Sequence, residues 1–293
     1  ANESKMIDDS PPSLGRRLGL VAGYAGLMAV NVLSGMGKLP LISGEAGPSN
    51  AVVSGRWPTL VTPAGYAFAI WGPIFLIQGS TVIWSLLPAK QGSAKAKAIN
   101  AVAPAWLAMW TFENLWQFVF VNAPMAPDAG IPEQLRCFVP ASALLCAAYA
   151  SSLAACRRLK AVQDKAGSKG AVGPLLELPA AMNAGWLSAA TCIGTALALE
   201  SMQGGPEKAS HAPALALAAS AGVGGLLSLR SWGAGWLGLG YAGAVMWALQ
   251  AVRFGPVTPT DVQTLAFGGV CTLGVAAGVA ALSGAGSSTE KKD

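Results

Sequence analysis

The chain has 293 residues, 53% of them hydrophobic and 11% charged, with a net charge of +5 and a mean hydropathy of +0.48. A soluble domain carries about 25% charged residues. So few charges cannot coat a water-facing surface, which excludes a soluble enzyme, a disordered chain and a nucleic-acid binder and leaves a polytopic membrane protein.

The opening stretch, residues 1–17, is polar and lacks the apolar core of a signal peptide. The chain starts with Ala1 rather than Met. Either a targeting segment has been removed or the chain has been trimmed.

Eight apolar stretches are long enough to span a bilayer, which takes about 20 residues each. They are Leu18–Met36, Tyr66–Leu87, Val102–Val121, Cys137–Cys156, Leu178–Leu199, Ala212–Leu229, Ala234–Val252 and Val262–Ser283. Only residues 230–233 separate the sixth from the seventh. They form a tight hairpin, or one of them is re-entrant. Gly15, Gly19 and Gly23 share a face of the first helix, and Gly274 and Gly278 a face of the last. Such stripes let helices approach closely, within the bundle or between copies. The tail, residues 284–293, is small, charged and expected to fray.

Eight spans place both termini on one face. That face then holds Lys5, Arg16, Arg17, Lys90, Lys95, Lys97, Arg157, Arg158, Lys160, Lys165, Lys169, Arg230, Lys291 and Lys292. The other holds Lys38, Arg56, Arg136, Lys208 and Arg253. The split is 14 against 5. The positive-inside rule makes the richer face cytoplasmic, or its stromal or matrix equivalent. The longest loop, residues 37–65, is proline-rich and leaves no room for a soluble domain.

Polar residues inside the spans are the candidates for chemistry. Glu113 is the only acid deep in a span. A carboxylate in hydrocarbon must be protonated, paired or turned to a polar cavity. Trp106, Trp110, Glu113 and Gln117 follow helical spacing and form one stripe. The stripe suits a large planar ligand carrying a polar group or a metal. Alternatively Glu113 bonds a neighbouring helix, for instance at Asn183. In the second span Trp71, Phe75 and Gln78 share a face, and Pro73 is expected to kink the helix. Asn183 and Trp186 share a face of the fifth. Asn31 and Gln250 are further intramembrane amides, which more often join helices than bind ligands. His211 is placed in a loop. The five cysteines form no C-x-x-C pair and read as small buried apolar side chains, so no structural metal is expected. No catalytic motif occurs, so the expectation is that the protein is not an enzyme.

Three stretches resemble a known family. Thr62-Pro-Ala-Gly-Tyr-Ala-Phe-Ala-Ile-Trp-Gly-Pro-Ile-Phe75 resembles the T-P-A-G-Y-x-F-x-I-W-G-x-I-[YF] signature of tryptophan-rich TspO/MBR-related membrane proteins. Leu39–Gly44 and Arg56–Val61 resemble the connector that leads into it. Leu178–Thr191 is similar to the family's L-P-x-x-x-x-x-G-W-x-x-x-A-T segment. The third span is similar to the N-x-x-W region but departs from it: Asn114 and Trp116 are two apart, and Glu113 is an addition. The motifs fall within residues 30–200.

The resemblance implies an all-α fold, a TspO-like five-helix core over 18–200 with three additional helices over 201–283. It implies a pocket for porphyrins and other flat lipophiles, with Trp71, Phe75, Asn114, Trp116 and Trp186 carried over as lining. A tetrapyrrole, porphyrin or chlorophyll, is then the expected ligand. Glu113, Asn114, Gln117 or Gln78 could give an oxygen to a pigment magnesium. Two other readings stay open. One is an accessory subunit of an organellar complex, such as a photosystem–antenna assembly in a plastid thylakoid, beside light-harvesting proteins. The other is a transporter, with Glu113 as proton site and Pro73 as hinge. Expected partners are membrane lipids, the flat ligand and either other membrane subunits or a second copy, with no nucleic acid.

Overall fold

A computed structural model describes residues 8–126, 128–166 and 173–289. The expected frayed tail falls partly outside these, as do Lys5, Lys169, Lys291 and Lys292.

The described residues form helices and no strand. In chain order they are α1 (Leu14–Gly35), α2 (Asn50–Arg56), α3 (Trp71–Leu86), α4 (Ala94–Val121), α5 (Ile131–Ala166), α6 (Leu178–Met202), α7 (His211–Trp232), α8 (Trp236–Arg253) and α9 (Thr260–Thr289). All eight predicted spans fall on helices. Six helical stretches are long and apolar enough to cross a membrane by length and composition. The other two are α4 and α8. Their neighbours are mostly other helices, α1 and α5 for α4 and α6, α7 and α9 for α8, so they can carry more polar residues.

The predicted boundaries shift for identifiable reasons. Apolar length marks only the part of a helix that needs lipid. α4 starts eight residues before the predicted span because Ala94–Ala98 are good helix formers, and Ser93 accepts from the Ala96 N–H at 3.2 Å to cap them. The second span starts differently. A 3₁₀ stretch, Gly65–Ile70, precedes α3. Pro73 thus lies in the first turn of α3, where its missing N–H leaves no helical bond unmade. It lies three residues after the change of helix type.

The connections gather at two ends. At one, Gly92 N–H donates to Asp9 O at 2.8 Å, Arg158 reaches Ala101 O at 3.4 Å, and Gly173 lies against the Trp236 ring. At the other, Trp57 Nε1 donates to Pro124 O at 2.8 Å, Ala64 N–H to Ala251 O at 2.9 Å, and His211 meets Asp261 at 3.0 Å. His211 is the first residue of α7, not a loop residue. The α7–α8 hairpin is formed. Gly233 closes α7 at φ 70°, a conformation that suits glycine, and its N–H donates to Leu229 O at 2.9 Å.

The glycine stripes behave differently from each other. A side chain at Gly23 would come 2.7 Å from Leu107 Cδ2 and 3.1 Å from Trp110 Cε3, so this glycine sets the α1–α4 approach. A side chain at Gly278 would meet nothing within 4 Å. Gly23→Val is therefore expected to cost ~1–3 kcal/mol by overpacking. Gly278→Ala should change stability by less than ~0.5 kcal/mol. Thermal unfolding of both variants in detergent checks the contrast. Equal midpoints would contradict it.

Two cysteines depart from expectation. Cys137 and Cys156 are buried, but Cys146 and Cys271 are exposed on the outer faces of α5 and α9.

Candidate functional site

The site is a cavity between α1, α4, α5 and α6, closed at one end by α2 and residues 57–63. The space open to water-sized bodies is about 90 Å³. Its walls are aromatic: Trp57, Phe68, Trp71, Trp116, Phe120, Phe138 and Trp186. Trp116 stacks on Phe120 at 5.1 Å, and Trp71 on Phe75 at 5.0 Å. Trp186 meets the edges of both Phe68 and Trp71 at 6.0 Å. These separations and tilts suit the ring quadrupoles.

One wall is polar. Gln117 Nε2 donates to Asn31 Oδ1 at 2.9 Å, and Asn31 Nδ2 donates back to Leu27 O at 2.9 Å. Gln117 Oε1 accepts from Ser34 Oγ at 3.0 Å and from Asn50 Nδ2. This ties α1, α2 and α4 together, and Asn31 is both interhelical glue and cavity wall. Glu113 projects into the cavity beside this network, and neither carboxyl oxygen has a hydrogen-bond partner.

The roof follows from local backbone needs. Ser49 caps α2 by accepting from Val52 N–H at 3.4 Å, and Val53 anchors that short helix as a fully buried side chain. Arg56 lies over the Trp57 ring at 4.8 Å. Glu200, at the end of α6, accepts the buried Leu60 N–H on both oxygens at 3.1 Å. Glu200→Ala leaves that N–H unpaired and is expected to cost ~1–3 kcal/mol. Glu200→Gln keeps an acceptor and most of the stability. Thermal unfolding and hydrogen exchange at Leu60 check this, and an alanine variant as stable as the parent would contradict it.

Of the predicted residues, Trp71, Glu113, Trp116, Gln117 and Trp186 line the cavity. Phe75 is one step back, stacked on Trp71. The other five lie outside the lining. Trp106 and Trp110 are almost fully buried in the main core, with ring centroids 5.5 Å apart. Trp110 Nε1 donates to Gln78 Oε1 at 3.3 Å, which turns Gln78 toward α4. Asn114 lies against Gly26 of α1. Asn183 is fully buried, its Nδ2 donates to Met109 Sδ at 3.2 Å, and its side chain also faces the Glu113 carboxyl.

The predicted α4 stripe thus divides. Its first half packs against α1 and α3, and its second half faces the cavity. Trp57, Phe68, Phe120, Phe138 and Asn50 were missed as lining. Trp57 and Phe68 stand inside the motifs, but nothing in their local spacing shows that 57–70 folds back over the helices. Among the described residues no group of three His, Cys, Asp or Glu could hold a metal ion.

A family model for TSPO-like protein matches residues 18–279. The chain belongs to the TSPO-like family. The match runs past the motif-bearing stretch of 30–200 and takes in α7, α8 and most of α9. Neither a curated protein nor a solved structure matches the chain. Within the TSPO-like bundle the stretches Thr62–Phe75 and Leu178–Thr191 meet at the cavity, one through Phe68 and Trp71, the other through Trp186.

Proposed function

We propose that this TSPO-like membrane protein binds a flat lipophilic ligand, a tetrapyrrole of the porphyrin or chlorophyll type, in the aromatic-walled cavity, without catalysis. The observation that carries the reading is the enclosure of one space by Trp71, Trp116 and Trp186, drawn from three different elements. Indole faces suit a planar apolar body. The buried oxygens of Glu113 suit a pigment magnesium or an N–H donor. Among the described residues the lining holds no imidazole or thiolate, the usual ligands of haem iron.

The space is narrow for a macrocycle. Entry therefore needs the Trp71 and Trp116 rings to part from their stacked partners, or the roof over 57–63 to yield. The absorption spectrum of the natively purified protein tests the reading. A Soret or chlorophyll band is expected. A spectrum with neither band, together with tryptophan emission unquenched by added protoporphyrin, would defeat it.

A second reading has its own support. No residue of α7, α8 or α9 lines the cavity, and α9 exposes Val275, Val279 and Leu282. We propose as the alternative that these helices dock the protein, as an accessory subunit, onto other membrane proteins or a second copy. A chlorophyll ligand would place such a complex in a plastid thylakoid, with both termini on the stromal face by the charge asymmetry. Native gel migration tests this: a large assembly is expected, and a free monomer would defeat it.

A further inference from the structure

The polar wall of the cavity offers open acceptors. The buried side-chain atoms of its lining that lack a hydrogen-bond partner are Glu113 Oε1, Glu113 Oε2 and Asn50 Oδ1, oxygens that can accept an N–H from a ligand. Glu113 is only 5% exposed. Each amide nitrogen of the neighbouring polar wall gives one N–H to a protein acceptor: Asn50 Nδ2 to Gln117, Gln117 Nε2 to Asn31, Asn31 Nδ2 to Leu27 O. Among the described residues no Lys, Arg or His lines the space.

A buried acceptor without a donor is costly, and a buried carboxyl more so. A ligand that brings the donor removes that cost. A ligand that brings a second carboxylate adds repulsion in a medium that screens it poorly. We propose that the cavity selects flat lipophiles that present a basic nitrogen to Glu113, whose carboxyl oxygens accept the N–H, and disfavours those that present a carboxylate there. This rests on the flat-ligand reading and names the polar group that the flat body carries. For a porphyrin it fixes orientation: any acidic edge points away from Glu113.

Three probes share one aromatic body: pyrenylmethylammonium, methylpyrene and pyrene carboxylate. Each is titrated into the full-length protein in neutral detergent, and energy transfer from tryptophan to pyrene reads binding. The ammonium probe is expected to bind at least about tenfold more tightly than methylpyrene, as a charge-assisted hydrogen bond implies, and the carboxylate most weakly. In Glu113→Gln the preference for the ammonium probe over methylpyrene should collapse. A preference that survives in Glu113→Gln overturns the proposal, as does tightest binding of the carboxylate. Equal binding of all three overturns the anchor but leaves the flat-ligand reading standing. Binding of none overturns both. Infrared difference spectra of the unmutated protein give a reading that needs no variant: the ammonium probe must shift a carboxyl band that methylpyrene does not. A band shifted by neither probe overturns the proposal.

Discussion

Gly185→Val is expected to leave the protein unable to form a stable, monodisperse bundle in detergent. A Cβ at this position would stand 2.4 Å from Tyr241 O and 2.9 Å from the Ala244 Cβ. The first obstacle is backbone, which no rotamer change can relieve. α6 and α8 would have to separate along a contact that buries Ala181, Ala184, Leu237, Tyr241 and Val245. Overpacking of a dense core costs ~1–3 kcal/mol in ordinary cases. A clash with a carbonyl across a helix pair belongs at or above the top of that range. Trp186 follows Gly185 in sequence, so any surviving fraction should also bind flat ligands weakly. Gel filtration and thermal unfolding check this, with Gly278→Ala as the neutral comparison. A Gly185→Val protein as stable as the parent would mean that the α6–α8 packing described above is wrong.

Trp186→Ala is expected to lower affinity for flat aromatic ligands by about thirtyfold or more, the usual scale for removing a central tryptophan from a buried contact. The ring touches Phe68 and Trp71 as well as the cavity. Its loss removes a wall and frees two neighbours. Trp106→Phe should leave affinity unchanged, because Trp106 packs in the main core away from the lining. The pair separates a cavity effect from a general effect of losing indole. Equal losses in both variants, or no loss in Trp186→Ala, would place the ligand elsewhere.

The helices themselves were readable because a bilayer demands long apolar stretches, and the eight found by that criterion all fold as helices. What the criterion cannot see is structure that needs no lipid. The 3₁₀ stretch over Gly65–Ile70, the short α2 and the roof tied to Glu200 are held by specific hydrogen bonds between distant residues. A proline-rich loop shows none of that in its composition.

The site was half legible for a similar reason. Helical spacing places Trp106, Trp110, Glu113 and Gln117 on one stripe, but eleven residues of helix rise by about 16 Å. Over that height the neighbours change. Near Trp110 the facing residues are Gly23, Tyr24 and Gln78; near Gln117 they are Ser34, Asn31 and Asn50. Periodicity gives direction around an axis, not what stands opposite at each level. Asn114 illustrates the same limit. Carried over by its place in the motif, it points to Gly26 of α1, because the shortened spacing to Trp116 leaves only one of the two toward the cavity.

The most direct test is a density map of the protein saturated with protoporphyrin. The expected result is a flat feature bounded by Trp71, Trp116 and Trp186, with its acidic edge turned from Glu113. A disc lying on the outer apolar faces, with the interior unchanged, would contradict the account.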